Sequence, residues 1–231
     1  MMQMLGQASR VALDLFFPPQ CALCRRGGAM LCDACTDALP IADGRRCSMC
    51  WMPWQRGVVC RHCAEAAPAF DALRAAFVMD AGARRLVHEL KYEGMTALAE
   101  PMARLMLPSA AVAAADVIVP VPLHPSRERS RGYNQAAMLA RQIAAASAAS
   151  YDARAMRRIR STTPLVKTMH REERLAIMRG AFDADPAHVA GRRVVLVDDV
   201  ATTGATLDAC AEALVDAGAA GVRAAVWARA D

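Results

Sequence analysis

The chain has 231 residues, of which 55% are hydrophobic and 22% are charged, and its formal net charge is +5. These values exclude a wholly disordered chain and a coiled coil, and they leave room for one α/β domain or for a medium domain beside a small one. Because only 5% of the residues are aromatic, the core must consist mainly of Ala, Val, Leu and Met.

The beginning of the chain predicts neither export nor a membrane span. The opening segment, MMQMLGQASRVALDLFF, is partly apolar, but it contains Asp14 and lacks a leading positive cluster. No apolar run in the sequence approaches the roughly 18 residues that a membrane span needs. We therefore expect a cytoplasmic protein.

Four C-x-x-C pairs follow, and they predict two metal sites. The pairs are Cys21/Cys24, Cys32/Cys35, Cys47/Cys50 and Cys60/Cys63. Two residues between cysteines allow both sulfurs to reach one tetrahedral zinc ion. Disulfides are disfavoured in a reducing compartment, and iron–sulfur runs have tighter, asymmetric spacing with a following proline. We therefore expect two structural Zn²⁺ sites with four cysteines each.

The spacing leaves two ways of grouping the cysteines. Consecutive grouping is favoured because each quartet then spans a short hairpin, whereas a cross-braced arrangement would interleave the pairs. Metal binding should supply the folding free energy of this segment, which we place at residues 15–66 and expect to unfold on chelation while the rest stays folded. Trp51 and Trp54 are expected to pack over the second site, although an exposed pair could instead stack on bases.

From about residue 70 onward, strand-like and helix-like segments alternate. The predicted strands are FVMD, DVIVPV, RVVLVDDV and VRAAVWA, and the predicted helices are GARRLVHELKY, MTALAEPMARLML, NQAAMLARQIAAASA and TLDACAEALVDAG. Nearly all-apolar strands are typical of a sheet that is covered on both faces. The pattern predicts an α/β domain over residues 70–231, with a mainly parallel sheet flanked by helices.

Positive charge is concentrated between residues 123 and 179. This stretch has 12 basic and 4 acidic residues, a net charge of +8, so that the rest of the chain sums to −3. The concentration favours a phosphate-bearing partner, either a small molecule or a nucleic acid, although a solvated face would have the same composition.

The segment RVVLVDDVATTGATL, residues 193–207, predicts an anion site. A buried strand is followed by Asp198 and Asp199, at the end of a strand where ligands bind in open α/β sheets. Gly204 permits a tight turn, neighbouring threonines offer hydroxyls, and the first amides of the next helix point into the loop. Ala205 stands where a Walker A loop would have Lys, which disfavours nucleoside triphosphate hydrolysis. A ribose 5-phosphate fits, with the carboxylates accepting from its hydroxyls.

This segment resembles the phosphoribosyl-pyrophosphate (PRPP) signature of the type I phosphoribosyltransferases. A second segment, DVIVPVPLHPSRERSRGYNQAAMLA, resembles the ComF family, whose members join an N-terminal double zinc ribbon to a phosphoribosyltransferase-like domain, and ELKYEG with Lys91 and Tyr92 also fits. The resemblance implies a PRPP site, with Mg²⁺, that consists of Asp198, Asp199, Ala201, Thr202, Thr203, Gly204, Ala205 and Thr206.

The resemblance also implies a reaction, the displacement of pyrophosphate from C1 of PRPP by a nitrogen nucleophile. The pyrophosphate would lie in a loop from Pro122 to Gly132, with Arg127, Arg129 and Arg131 as its partners. The catalytic residues implied are Asp198, Asp199 and Arg131. Such chemistry needs positioning and charge compensation of the leaving group rather than a covalent nucleophile.

One region departs from the family pattern, so three functions stay open. Leu165 and Ile177 stand where the family typically carries Gln and Asn, which puts catalysis in doubt more than binding. The resemblance implies a role in DNA uptake during natural transformation, with single-stranded DNA and the uptake machinery as partners. The alternatives are an active nucleobase salvage phosphoribosyltransferase and a PRPP-sensing regulator without turnover.

Overall fold

The computed structural model describes residues 18–110, 112–161 and 171–230. In chain order its helices are α1 (Asp33–Asp37), α2 (Arg61–Glu65), α3 (Ala81–Tyr92), α4 (Ala99–Met106), α5 (Pro125–Arg131), α6 (Gln135–Ala145), α7 (Arg171–Met178), α8 (Pro186–Val189) and α9 (Ala205–Asp216). Its strands are β1 (Ala72–Val78), β2 (Val117–Pro120), β3 (Ser150–Tyr151), β4 (Met156–Arg158), β5 (Phe182–Ala184), β6 (Arg193–Ala201) and β7 (Gly221–Arg229). None of the helices in these ranges has the length and apolar character needed to cross a membrane.

The predicted parallel sheet is confirmed. Five strands pair in the order β1–β7–β6–β2–β3, and every pairing within this sheet is parallel. The helices that follow two of its central strands pack on opposite faces, since α6 follows β2 on one side and α9 follows β6 on the other. In open α/β sheets a crevice forms at the carboxyl ends of such a strand pair. The predicted site residues follow β2, or lie in the last part of β6 and directly after it, because β6 continues through Asp198 and Asp199 to Ala201. The topology therefore brings the carboxyl ends of these two strands together.

Apolar side chains cover both faces of the sheet. On one face, β6 contributes Val195 and Val197 to a core that includes residues of α3, α4 and α6. On the other face, Val194 and Leu196 pack with α9 and with β5. The central strands are therefore buried on both sides, which explains their nearly all-apolar sequences.

The segment between Pro122 and Gly132 is not a loop throughout, because it contains helix α5. The sequence PSRERSR has no apolar periodicity that would predict a helix, but its ends carry helix signals. Pro125 occupies the first turn, the His124 side chain accepts from the Ser126 amide, and Gly132 ends the helix at φ 84°. The arginines expected on a loop are therefore held on a short helix.

Further elements were not predicted from the sequence. Strands β4 and β5 form a separate antiparallel pair, and α7 and α8 lie on either side of β5 in the chain. These elements are short, with mixed polar and apolar residues, so their sequences carry little periodic signal.

The cysteine-rich region consists of two similar units. In each unit the first C-x-x-C pair is followed by a residue with positive φ, Arg25 at 65° and Trp51 at 62°. The second pair of each unit lies at a short helix, with Cys32 preceding α1 and Cys60 preceding α2. The two units are thus a structural repeat that the cysteine spacing alone does not reveal.

The first unit packs directly on the α/β region. Cys21 and Leu31 belong to the same apolar core as Leu86 and Leu90 of α3. The backbone of residues 40–42 also pairs with the outer edge of β1, since the Ala42 amide donates to the Ala76 carbonyl at 2.9 Å. The two regions therefore share a core, and we revise the expectation that the cysteine-rich region unfolds alone.

The two tryptophans of the second unit have different neighbours. Trp54 packs against the second cysteine cluster, as predicted. Trp51 instead packs against the sheet core, with its indole N–H donating to the Ala42 carbonyl at 3.0 Å and the Arg74 guanidinium 4.3 Å from its ring centroid. Its role is to attach the second unit to β1.

Candidate functional site

The two neighbouring carboxylates of β6 have different environments. The strand continues past them to Ala201, so alternation turns them toward opposite faces of the sheet. Asp199 is buried, with 2% of its surface exposed, and forms an ion pair with Lys91 at the C-terminal end of α3. Asp198 is half-buried and accepts a hydrogen bond from the Asp199 amide at 2.8 Å. Only Asp198 is therefore open to a ligand in this conformation.

These environments shift the two pKa values in opposite directions. Burial, together with the negative charge of Asp199, raises the pKa of Asp198 well above its ordinary value. Burial also acts to raise the pKa of Asp199, but the positive charge of Lys91 outweighs it and lowers that pKa. Lys91 neutralises only one of the two carboxyl groups. The site therefore favours a ligand that donates a hydrogen bond to Asp198 or brings a second cation.

The loop after β6 leaves open space where α9 begins. Gly204 precedes α9 at φ 82°, and no heavy atom lies within 4 Å of the position that a Cβ would occupy there. Thr202 is exposed and Thr203 is half-exposed, whereas Ala201 and Ala205 are buried beneath the loop. Thr206, in the first turn of α9, is half-exposed. The open space therefore faces the first turn of a helix, where backbone amides attract anions.

Helix α5 places only two of the three predicted pyrophosphate arginines at a cavity. Arg127 and Arg131 are four residues apart and therefore lie on one helix face, where both line a cavity of about 570 Å³. Arg129 is exposed and does not line that cavity. Lys91 lines the same cavity and pairs with Asp199, so it links the cavity to the carboxylate on this face of the sheet.

Several motif residues hold this arrangement in place. Asn134 begins α6, accepts from the Ala136 amide at 2.9 Å and donates to the Val121 carbonyl at 3.0 Å. Gln135 is buried and accepts a hydrogen bond from Arg131. The Tyr133 hydroxyl donates to the Leu90 carbonyl near the end of α3. These contacts fix the arginine face of α5 against the helix that carries Lys91.

Two basic residues near the predicted site, Lys91 and Arg158, were not among the site residues predicted from the sequence. Lys91 had only the ELKYEG resemblance as a signal, and Arg158 was one of the many basic residues between 123 and 179. Arg158 is on β4, and burial and the positive charge of Arg127 lower its pKa. The negative charge of Asp198 acts on this pKa in the opposite direction, and the guanidinium itself lies over the Phe182 ring of β5.

Of the two positions that depart from the family pattern, only Ile177 lies within the described residues. Ile177 is half-buried and packs against the apolar core that includes α9. Leu165 lies outside the described residues, as do Thr163 and Pro164.

The eight cysteines form two clusters in the consecutive grouping. The clusters are Cys21, Cys24, Cys32 and Cys35, and Cys47, Cys50, Cys60 and Cys63, and within each the sulfurs lie within 4.8 Å of one another. The separations Cys24–Cys32 and Cys50–Cys60 are both 3.6 Å. Four sulfurs around one zinc ion should lie about 3.8 Å apart, given Zn–S bonds of about 2.3 Å, so both clusters fit the metal.

The ionisation of the thiols supports the same metal. Burial acts to raise the pKa of Cys21, but backbone N–H groups, first those of Cys24 and Cys32, lower it to about 6. Burial and the neighbouring thiols raise the pKa of Cys35 to about 12. Cys21 thus ionises readily while Cys35 resists ionisation, and a bound cation removes that resistance. With four thiolates as ligands, the zinc would be structural.

Comparisons with known proteins agree with both halves of this description. A family described as "Double zinc ribbon domain" matches residues 12–64, and one described as "Phosphoribosyl transferase domain" matches residues 114–231. The chain is 30% identical to the DNA utilization protein YhgH of Escherichia coli, over 92% of this chain and 97% of that protein. It is 27% identical to the competence protein ComFC of Bacillus subtilis, over 82% of this chain and 80% of that protein. The chain belongs to the ComF family.

The ComF assignment accounts for the joining of two zinc ribbons to a phosphoribosyltransferase fold. Among solved structures, the glutamine PRPP amidotransferase from Bacillus subtilis is 23% identical and covers 55% of this chain and 25% of that chain, with a TM-score of 0.39. A similarity of this size adds nothing to the assignment, which depends on the ComF relatives and the two domain families.

Proposed function

We propose that this ComF-family chain binds PRPP or a related phosphoribosyl ligand, together with Mg²⁺, and acts in the utilization of DNA in the cytoplasm. One observation carries the first part: Lys91, which lines the arginine cavity, pairs with Asp199, and Asp199 stands next to Asp198 and five residues before the glycine that begins α9. The second part is supported by the names of the relatives YhgH and ComFC. The eight thiols favour a reducing compartment.

Three groups of residues suit three parts of PRPP: the loop after β6, Asp198, and the two cavity arginines of α5. The backbone amides and hydroxyls after β6 suit the 5-phosphate, since they form an anion site without a charged side chain. Asp198 is suited to accept from a ribose hydroxyl, while Lys91 already neutralises Asp199. Arg127 and Arg131 suit the pyrophosphate because guanidinium groups bind phosphate oxygens in pairs. Mg²⁺, when bound with the ligand, would compensate the negative charge of the leaving pyrophosphate.

Isothermal titration with PRPP and Mg²⁺ tests the site. Asp198→Asn should weaken PRPP binding about tenfold or more, because the amide replaces one of the two acceptor oxygens by a hydrogen-bond donor. Gly204→Val should have a similar effect, since it strains the backbone at φ 82° and fills the open space in the loop.

Two control variants separate ligand contacts from folding. Gly191→Val removes a glycine with φ 70° and open surroundings away from the loop. Asp185→Asn changes a carboxylate that begins α8 and lies 3.9 Å from His188. Both controls should keep wild-type PRPP affinity, and unchanged affinity in Asp198→Asn and Gly204→Val would refute the proposed site.

We expect binding with slow or undetectable base transfer. Leu165 and Ile177 replace polar residues of the family pattern, and Lys91 neutralises one of the two carboxylates. Pyrophosphate release, measured with a panel of purine and pyrimidine bases, checks this expectation. Robust turnover with an ordinary base would establish a salvage phosphoribosyltransferase instead.

The DNA part of the proposal predicts salt-sensitive binding of single strands. Each phosphate that the protein neutralises should contribute about −0.7 to the slope of log affinity against log salt concentration. Replacing the exposed residues Arg129, Arg154 and Arg160 by Glu should flatten that slope, as measured by fluorescence anisotropy. A slope equal to that of the wild type would contradict a role for these arginines.

A further inference from the structure

The cavity between α3 and α5 is larger than a bare pyrophosphate requires, and an aromatic side chain lines it. Its volume of about 570 Å³ lies within the range of about 300–1,000 Å³ that is typical of sites for small organic ligands. The side chains that line it belong to Lys91, Tyr92, Arg127, Ser130, Arg131 and Tyr133. Among the described residues, none of those lining the cavity is acidic. Its charge therefore suits a phosphate-bearing ligand.

A large aromatic ring lies at the rim of this cavity. Tyr92 is 66% exposed, although an aromatic ring of this size usually packs in a core or an interface. The Arg131 guanidinium lies over the ring, 5.2 Å from its centroid. An exposed tyrosine and a planar guanidinium offer flat surfaces on which a base can stack.

We propose that this cavity binds a nucleotide, with the phosphate on Arg127 and Arg131 and the base stacked at Tyr92. The ligand chemistry is a base linked to a phosphate, which occurs both in a single strand and in a free mononucleotide. The combination of aromatic and basic side chains is typical of surfaces that bind single-stranded nucleic acids without sequence preference. The inference rests on the DNA part of the proposed function and deepens it, and it is independent of whether PRPP binds at the loop after β6.

The position of the cavity separates this contact from the phosphate loop. Tyr92 is the last residue of α3 and Arg127 and Arg131 are on α5, whereas the loop follows β6. Lys91 lies between the two, because it lines the cavity and pairs with Asp199. PRPP has no base, so a base stacked at Tyr92 would be a contact that PRPP cannot make.

The test compares strands with and without bases. Fluorescence anisotropy measures the affinity of the full chain for a labelled oligo(dT) and for an abasic strand of the same length. Tyr92→Leu should weaken oligo(dT) binding about fivefold or more and leave the abasic strand unaffected, because only the stacking contact is lost. Arg127→Ala should weaken both strands alike, because it removes a phosphate contact.

A second tyrosine provides the matched control. The Arg141 guanidinium lies 5.3 Å from the ring centroid of Tyr151, in the same type of stack, but Tyr151 does not line the cavity. Tyr151→Leu should leave both affinities unchanged. Equal loss in Tyr92→Leu and Tyr151→Leu, or no loss of oligo(dT) affinity in Tyr92→Leu, would overturn the proposal.

Competition by dTMP identifies the source of the ligand. Displacement of oligo(dT) by dTMP at low concentration, weakened by Tyr92→Leu, supports a mononucleotide site. Resistance to dTMP, with the Tyr92→Leu effect on oligo(dT) intact, supports a strand site. PRPP titration of the wild-type chain is run in parallel, and a failure there refutes the proposed PRPP site without affecting the base contact.

Discussion

Replacement of Lys91 by methionine is expected to destabilise the folded chain by about 3–5 kcal/mol. The substitution leaves Asp199 buried without its cation, and removal of one partner from a buried ion pair has a cost of this size. Urea unfolding at neutral pH measures the effect. The double variant Lys91→Met with Asp199→Asn should recover most of the loss, because no buried charge is left unpaired.

The loss should shrink as the pH falls. In the wild-type chain the pKa of Asp199 is lowered on folding. The ionised group therefore stabilises the fold above its unfolded pKa of about 3.9, and this stabilisation is lost only as the pH falls through the lower folded pKa. In Lys91→Met the lysine no longer offsets burial, which is the largest influence on this group, so the pKa of Asp199 should rise. Acidification then protonates Asp199 in the variant and removes the penalty. A gap between the two proteins that does not change with pH would contradict this explanation.

An exposed ion pair provides the control for Lys91. Arg104 and Glu100 lie 3.5 Å apart, with 67% and 61% of their side chains exposed. Arg104→Met should change the free energy of unfolding by less than about 0.5 kcal/mol, because water screens exposed pairs. Equal effects of Arg104→Met and Lys91→Met would show that burial of Asp199 does not matter.

Substitution of Cys21 by serine is expected to remove one zinc ion and to lower the melting temperature of the whole chain by at least about 10 °C. Structural zinc contributes several kcal/mol to folding, and each kcal/mol corresponds to about 2–4 °C in a chain of this size. The effect should reach the sheet because Cys21 shares a core with Leu86 and Leu90. Calorimetry and metal analysis, which should return close to two zinc ions per wild-type chain, measure both quantities.

Two other cysteine variants make this prediction specific. Cys47→Ser should also remove one zinc ion, but with less effect on the sheet, because Cys47 belongs to a small separate cluster. Cys210 is buried in α9 away from both clusters, so Cys210→Ser should keep two zinc ions. Iron in the purified protein, or zinc loss in Cys210→Ser, would contradict the assignment of the clusters.

The sequence was sufficient to predict the features that depend on local spacing. The eight cysteines identify two zinc sites because two-residue spacing brings both sulfurs of a pair to one metal. The apolar run before Asp198 and the glycine and threonines after it predict a strand, a loop and a helix in that order. These signals come from neighbours in the chain, so they need no knowledge of the fold.

The tertiary structure decided which of these residues act together. Lys91 meets Asp199 only because α3 packs on the face of the sheet toward which Asp199 points. Arg127 and Arg131 line one cavity and Arg129 does not, because an unpredicted helix turns the outer two to one face and the middle one away. The shared core of Cys21 and α3 likewise arises from packing between distant segments. Local spacing was enough to predict two four-cysteine clusters and a glycine loop after β6, whereas long-range packing set the environment of each carboxylate, because burial and a lysine from a distant helix act on them.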